Sequence, residues 1–234
     1  MPQNISHAVM AQRTEAADSL DDFPTPPWAV RAFCEHVLGG SNRLSKLSVL
    51  EPACGRGDMA QVLAEYFGEV SASDVHPYGF GGVQNFLDPY FDEGSFDWVI
   101  TNPPFKSAEA FLDKALPIAN KGVALLTRTV FIESIGRFER IFSTQPPTVV
   151  AQYVERVPMV KGRIDRKAST ATGYAWLIWE KNSAQLTQLH WIPPSRKRFE
   201  RDADYEPEFR LGGASKRSIT ETNIADIAQR DFFS

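Results

Sequence analysis

The sequence is short of cysteine, of long apolar runs and of net charge. Only Cys34 and Cys54 occur among its 234 residues. Neither sits at a metal-ligand spacing, no other metal cluster is apparent, and two cysteines make no disulfide framework. No apolar run approaches the roughly 20 residues of a membrane span. The opening Met1-Pro2-Gln3-Asn4-Ile5-Ser6 lacks a charged stretch leading into an apolar one, so no secretory signal is visible. These absences lead to the expectation of a reducing, cytoplasmic setting. A net charge of −4 argues against a protein that coats nucleic acid non-specifically, although it leaves room for a local basic groove. There is no internal repeat, and the glycines do not follow the G-x-G-x-x-G spacing of a dinucleotide site.

What the chain does have is core-forming material, 43% hydrophobic and 12% aromatic, enough for one large domain. Residues 1–22 are polar and read as a leader, 23–192 as the domain, and 193–234 as a polar, charged tail. Thr25 can cap a helix that takes Pro26 and Pro27 in its first turn, runs to about Leu38 and ends at Gly39-Gly40. Strands then alternate with helices. Strands are expected at 47–51, 70–74, 96–101, 122–126, 149–154 and 173–179, with a short one near 86–87. Helices are expected at 58–67, 107–119 and 133–142. This alternation predicts an α/β fold with a mostly parallel sheet of seven strands and helices on both faces. The last two strands have no clear crossover helix between them, which predicts an antiparallel addition at one edge. Trp176 and Trp179, three apart on one strand, should lie on opposite faces.

Four positions at strand ends carry the chemistry. The turn Glu51-Pro52-Ala53-Cys54-Gly55-Arg56-Gly57 lies between the first strand and its helix, where glycines let a ligand approach the backbone. Glu51 would repel a pyrophosphate and suits a cationic ligand. Asp74 ends the second strand, where a carboxylate can accept from both ribose hydroxyls. Asp88 follows the short third strand and is a candidate for an adenine amino group. The fourth strand ends in Asn102-Pro103-Pro104-Phe105. Prolines stop the ladder there, and the Asn102 side chain and nearby carbonyls supply acceptors beside an aromatic ring. That combination suits a planar group bearing an NH2, although a proline-stopped strand alone would look the same.

From Phe23 to Glu180 these motifs, in this order, resemble the S-adenosylmethionine-dependent methyltransferases of exocyclic amines. The likeness is greatest to the DNA N6-adenine enzymes, in particular the compact phage and prophage type. The resemblance implies a Rossmann-like methyltransferase fold and S-adenosylmethionine as cofactor. It implies that Asn102, Pro103, Pro104 and Phe105 hold the target amine, and that Phe23, Thr25, Glu51, Ala53, Gly55, Gly57, Asp74 and Asp88 line the cofactor site. The stretches 124–133 and 174–179 also resemble the phage-type pattern. DNA, presenting a flipped-out adenine, is the implied partner. Arg128, Lys161, Arg163, Arg166 and Lys167 are candidates for contact with it. An ion pair remains an equal reading for Arg128, and a solvated charge run for the 161–167 stretch. RNA adenine, cytosine N4, protein glutamine or a non-catalytic binding module are the alternatives. Residues 180–234 are too few and too polar for a substantial target-recognition domain.

Overall fold

The computed structural model describes residues 21–183, 186–206 and 219–221. Among these, nine strands form one mixed sheet: β1 (Ser48–Glu51), β2 (Glu69–Asp74), β3 (Gly82–Val83), β4 (Phe96–Thr101), β5 (Ala119–Arg128), β6 (Val149–Tyr153), β7 (Tyr174–Glu180), β8 (Gln188–Ile192) and β9 (Ile219–Glu221). Six α-helices accompany them: α1 (Pro27–His36), α2 (Ser41–Leu44), α3 (Asp58–Leu63), α4 (Ala108–Ile118), α5 (Ile135–Arg137) and α6 (Arg196–Phe199). The spatial order is β3-β2-β1-β4-β5-β7-β6-β8, with β9 paired to β2. Strands β1 to β5 pair in parallel. β7 runs antiparallel to both β5 and β6, and β8 runs parallel to β6.

The expected class is therefore present, mostly parallel with its antiparallel strand toward one edge. β8 and β9 are additions that the apolar pattern did not announce. Both faces of the sheet are covered, which explains why β4, β5 and β7 read as nearly unbroken apolar runs. On one face α1 and α3 close a core that includes Trp28, Phe33, Val62 and Trp176. On the other, α4 closes a second core with Leu50, Phe111, Leu125 and Trp179. Trp176 and Trp179 thus do lie on opposite faces. Phe33 stacks on Trp176 with centroids 4.0 Å apart. Tyr153 ties the layers together, accepting from Trp176 Nε1 at 2.7 Å and donating to the Ala29 carbonyl at 2.6 Å.

Three local expectations change. The short third strand is Gly82–Val83, not 86–87. Phe86 is buried because it packs in the second core against Phe91 and Phe111, not because it belongs to the sheet. In place of the single helix expected at 133–142 stand α5 and a π-type turn (Phe138–Phe142), preceded by a 3₁₀ turn (Thr129–Ile132). Phe131 and Ile141 are buried in the core and Phe142 packs against it, while Ile135 and Phe138 are exposed, so no continuous apolar stripe holds a straight helix there. Thr25 does not cap α1: Pro26 stands at the cap, with no side-chain hydrogen bond. The Thr25 hydroxyl turns instead toward Asn102.

Residues 196–205 pack onto α1. Arg31 is fully buried, yet its guanidinium meets Glu65 at 2.8 Å, Asp204 at 2.8 Å and the Phe199 carbonyl at 2.9 Å. A buried cation is tolerable only with such complete pairing.

Candidate active site

The sheet order reverses between β1 and β4, and the cleft opens beyond the carboxyl ends of β1, β2 and β4, the place such sheets offer to ligands. It spans about 610 Å³ of space open to solvent and is lined by residues 21–25, by the β1–α3 turn, and by Asp74, Tyr78, Asn102 and Pro104. Five of the anticipated cofactor-site residues besides Asp74 are there: Phe23, Thr25, Glu51, Ala53 and Gly55. Gly57 stands behind them at the start of α3 with φ of +87°, and a Cβ on it would lie 2.5 Å from the Phe80 ring. Asp88 does not line this cleft. Its carboxylate accepts from Asn85 Nδ2 at 3.1 Å.

The cleft is acidic and buried at its base. Glu51 is 2% exposed, and its Oε2 has no hydrogen-bond partner. Burial, then the neighbouring carboxylates Asp74 and Asp58, hold its pKa well above the ordinary carboxylate range. Asp74 is oriented by two backbone amides, Gly55 N–H at 2.9 Å and His76 N–H at 3.0 Å. Burial raises its pKa, and those two hydrogen bonds work against the rise. An unpaired buried acceptor on Glu51 asks for a donor, and a cation satisfies it best. A pyrophosphate is excluded by the same charges.

Asn102 forms the inner wall. Its Nδ2 donates to the Phe23 carbonyl at 2.9 Å and to Thr25 Oγ1 at 3.3 Å, with Met159 Sδ at 3.8 Å. A carbonyl can only accept, so the amide NH2 must face Phe23. Oδ1 is thereby left buried and without a hydrogen-bond partner. Phe105 N–H, the first amide after the two prolines, donates to Asp21 Oδ2 at 3.0 Å. Asp22 pairs with Arg56 at 2.9 Å, and its carbonyl accepts from Gly162 N–H at 2.8 Å. Residues 21–25 are thus bonded to the glycine turn, to the tetrapeptide and to the β6–β7 loop. Asp21, Asp22, Arg56, Tyr78 and Met159 escaped the sequence reading. The two aspartates sit at the end of a polar stretch that gives no periodic signal.

A second cleft, of about 500 Å³, lies against the other residues of the tetrapeptide. Pro103, Phe105, Leu126, Arg128, Phe131 and Arg137 are among its walls. The Arg128 guanidinium lies 4.4 Å from the Phe105 ring centroid, and Phe23 meets the same ring at 5.6 Å. Among the basic residues of the β6–β7 loop, Arg163 pairs with Asp165 at 3.2 Å and Arg166 with Asp202 at 2.6 Å. Arg166 also lies over the Tyr205 ring. Neither these two arginines nor Lys161 and Lys167 line either cleft. Among the described residues no group of three His, Cys, Asp or Glu is arranged to hold a metal, and no helix is long and apolar enough to cross a membrane.

Neither protein-family models nor curated proteins match this sequence. Solved structures do match the fold. A Listeria monocytogenes protein assigned to the class I S-adenosylmethionine-dependent methyltransferases superposes with a TM-score of 0.51 at 11% identity, over 80% of this chain and 68% of that one. The modification subunit assigned to a type I restriction enzyme of Vibrio vulnificus YJ016 gives 0.53 at 17% identity, over 84% of this chain and 52% of that one. The M protein of the type I restriction enzyme EcoKI gives 0.52 at 14% identity, over 84% and 55%. The chain spans about half the length of these two subunits. The fold is that seen in the class I S-adenosylmethionine-dependent methyltransferases.

Proposed function

We propose that this protein transfers a methyl group from S-adenosylmethionine to an exocyclic amine, adenine N6 in DNA. The observation that carries the reading is the Asn102 amide, locked by Phe23 and Thr25 so that Oδ1 is left as an unpaired buried acceptor. When bound, the cofactor supplies an electrophilic methyl group. In this reading Glu51 takes its ammonium and Asp74 its ribose hydroxyls, and both lie in the same cleft as Asn102.

An adenine N6 is a weak nucleophile because its lone pair is delocalised into the ring. Accepting a hydrogen bond from it at Asn102 Oδ1 favours a pyramidal nitrogen with the lone pair directed away from the ring. Positioning then does most of the work, and no strong general base is required if the proton leaves after transfer. A base within a duplex cannot reach this wall, so it must be extruded. Phe105 offers the ring on which it stacks, and Arg128 gives up that face as the base arrives. The compact phage-type affiliation, and Arg128 and the 161–167 stretch as nucleic-acid contacts, belong to the same proposal. The division into leader, domain and charged tail belongs to it as well, with Asp21 and Asp22 of the leader and residues 196–205 and β9 of the tail joined to the domain. Support comes from the acidic cofactor cleft, from the tetrapeptide shared by two clefts, and from the structural likeness to restriction-modification subunits. The test is transfer of labelled methyl to separate DNA, RNA and protein pools. Label in DNA is expected. Label confined to RNA or protein would reassign the substrate, and no transfer at all would leave a binding module.

A further inference from the structure

We propose that Ile135 and Phe138 form a wedge that enters a double-stranded nucleic acid beside the extruded base. This rests on the reading of the second cleft as the seat of the target base. The segment 129–142 after β5 carries the largest exposed apolar side chains near that cleft: Ile135 is 81% exposed and Phe138 60%, with Val130 and Ile132 exposed beside them. An exposed apolar cluster of this kind marks a binding surface.

The segment is held firmly from below. Phe131 and Ile141 anchor it in the second core. Glu109 of α4 accepts from Arg137 Nε at 3.1 Å and from Arg140 Nε at 2.8 Å. Arg137 also donates to the Phe131 carbonyl at 3.2 Å and lies over the Phe131 ring. Ser134 Oγ accepts from Arg137 N–H at 3.4 Å, closing the turn that lifts Ile135 outward. The exposed residues therefore ride on a braced support.

Position selects the partner. Val130, Phe131 and Arg137 of this segment are walls of the second cleft, along with Phe105. Extruding a base leaves a gap in the stack and costs a few kcal/mol, and an apolar side chain inserted there offsets part of it. Arg128, exposed at the cleft rim and in no ion pair among the described residues, matches a phosphate in charge. Glu133 and Glu139 flank the wedge and are exposed, so the wedge itself meets its partner through apolar contact.

The test uses the whole protein and a double variant, Ile135→Ser with Phe138→Ser, whose exposed positions leave both cores intact. Methyl transfer is measured on a matched duplex and on a duplex whose target adenine faces an abasic site, where no stacked partner has to be displaced. The variant is expected to lose about tenfold or more on the matched duplex and to stay within about twofold of wild type on the abasic one. Equal losses on both, or none on either, would overturn the wedge. So would light scattering that shows a wild-type dimer split by the substitutions, which would make the patch an interface between copies. Wild-type protein inactive on every DNA overturns the functional reading and the wedge with it. Wild-type protein active on DNA with an unimpaired variant overturns the wedge alone.

Discussion

The two clefts that share the tetrapeptide are built by opposite means. The cofactor-side cleft is a set of fixed polar groups: two amides aim Asp74, Phe23 and Thr25 lock Asn102, and Glu51 waits buried with a free oxygen. The target-side cleft is mostly apolar, and its polar element is a guanidinium resting on Phe105. In the proposed function the first would hold the cofactor by preorganised polar groups, and the second the target base by a ring that Arg128 covers. Substitutions on the first side should therefore act through polar geometry, and on the second through stacking.

The largest effect is expected at Asn102, which faces both tasks. Asn102→Ala removes the acceptor and should lower turnover by roughly 10²–10³-fold, as loss of a preorganised polar group does elsewhere. Cofactor affinity measured by calorimetry should stay close to wild type. A parallel loss of cofactor binding would make Asn102 part of the cofactor's own site and not the holder of the target amine.

Glu51→Gln comes next. It removes a charge-assisted hydrogen bond, so cofactor affinity should fall about ten- to a hundredfold, read by the same titration. It also changes stability in a definite direction. The raised pKa means that the folded protein holds the Glu51 proton more tightly than the unfolded chain does. That contribution is complete below about pH 4, the unfolded carboxyl value, and is lost as pH rises through the raised folded pKa. Thermal melts of cofactor-free wild type should therefore decline over that rise, and those of Glu51→Gln should not. Identical pH profiles would show that Glu51 ionises freely.

On the target side, Phe105→Ala should cost about 1–3 kcal/mol of stacking, roughly five- to a hundredfold in kcat/KM for DNA. Phe105→Tyr keeps the ring and should remain within a few-fold. Equal activity of the two variants would remove stacking from the mechanism. Arg128→Ala should have the smallest effect. It frees the Phe105 ring of a contact worth about 0.5–1 kcal/mol, so free adenosine should bind a few-fold more tightly. Weaker adenosine binding would show that Arg128 helps seat the base instead of covering the ring.

The contrast between the clefts also explains what was legible in the sequence. Elements buried on both faces announce themselves by composition: Phe96–Thr101, Tyr174–Glu180 and α4 lie nearly where their apolar runs place them. The polar residues of the cofactor side sit at the ends of such strands, so Glu51, Asp74 and Asn102 could be found by counting from them. β3 has two residues and β8 is an almost wholly exposed strand, too little buried surface to leave a pattern. Asp21 reaches Phe105 across 84 positions and Asp204 reaches Arg31 across 173, contacts that no local pattern encodes. The stretch 133–142 reads in the sequence as one helix with its apolar residues turned inward. Several of them point to solvent instead.

The most direct test of the central claim is transfer of labelled methyl to a defined adenine-containing duplex, followed by nucleoside analysis, for wild type and Asn102→Ala. The expected result is label recovered as N6-methyladenine deoxynucleoside with wild type and nearly absent with the variant. Label on a carbon or oxygen atom, or an Asn102→Ala protein as active as wild type, would contradict it.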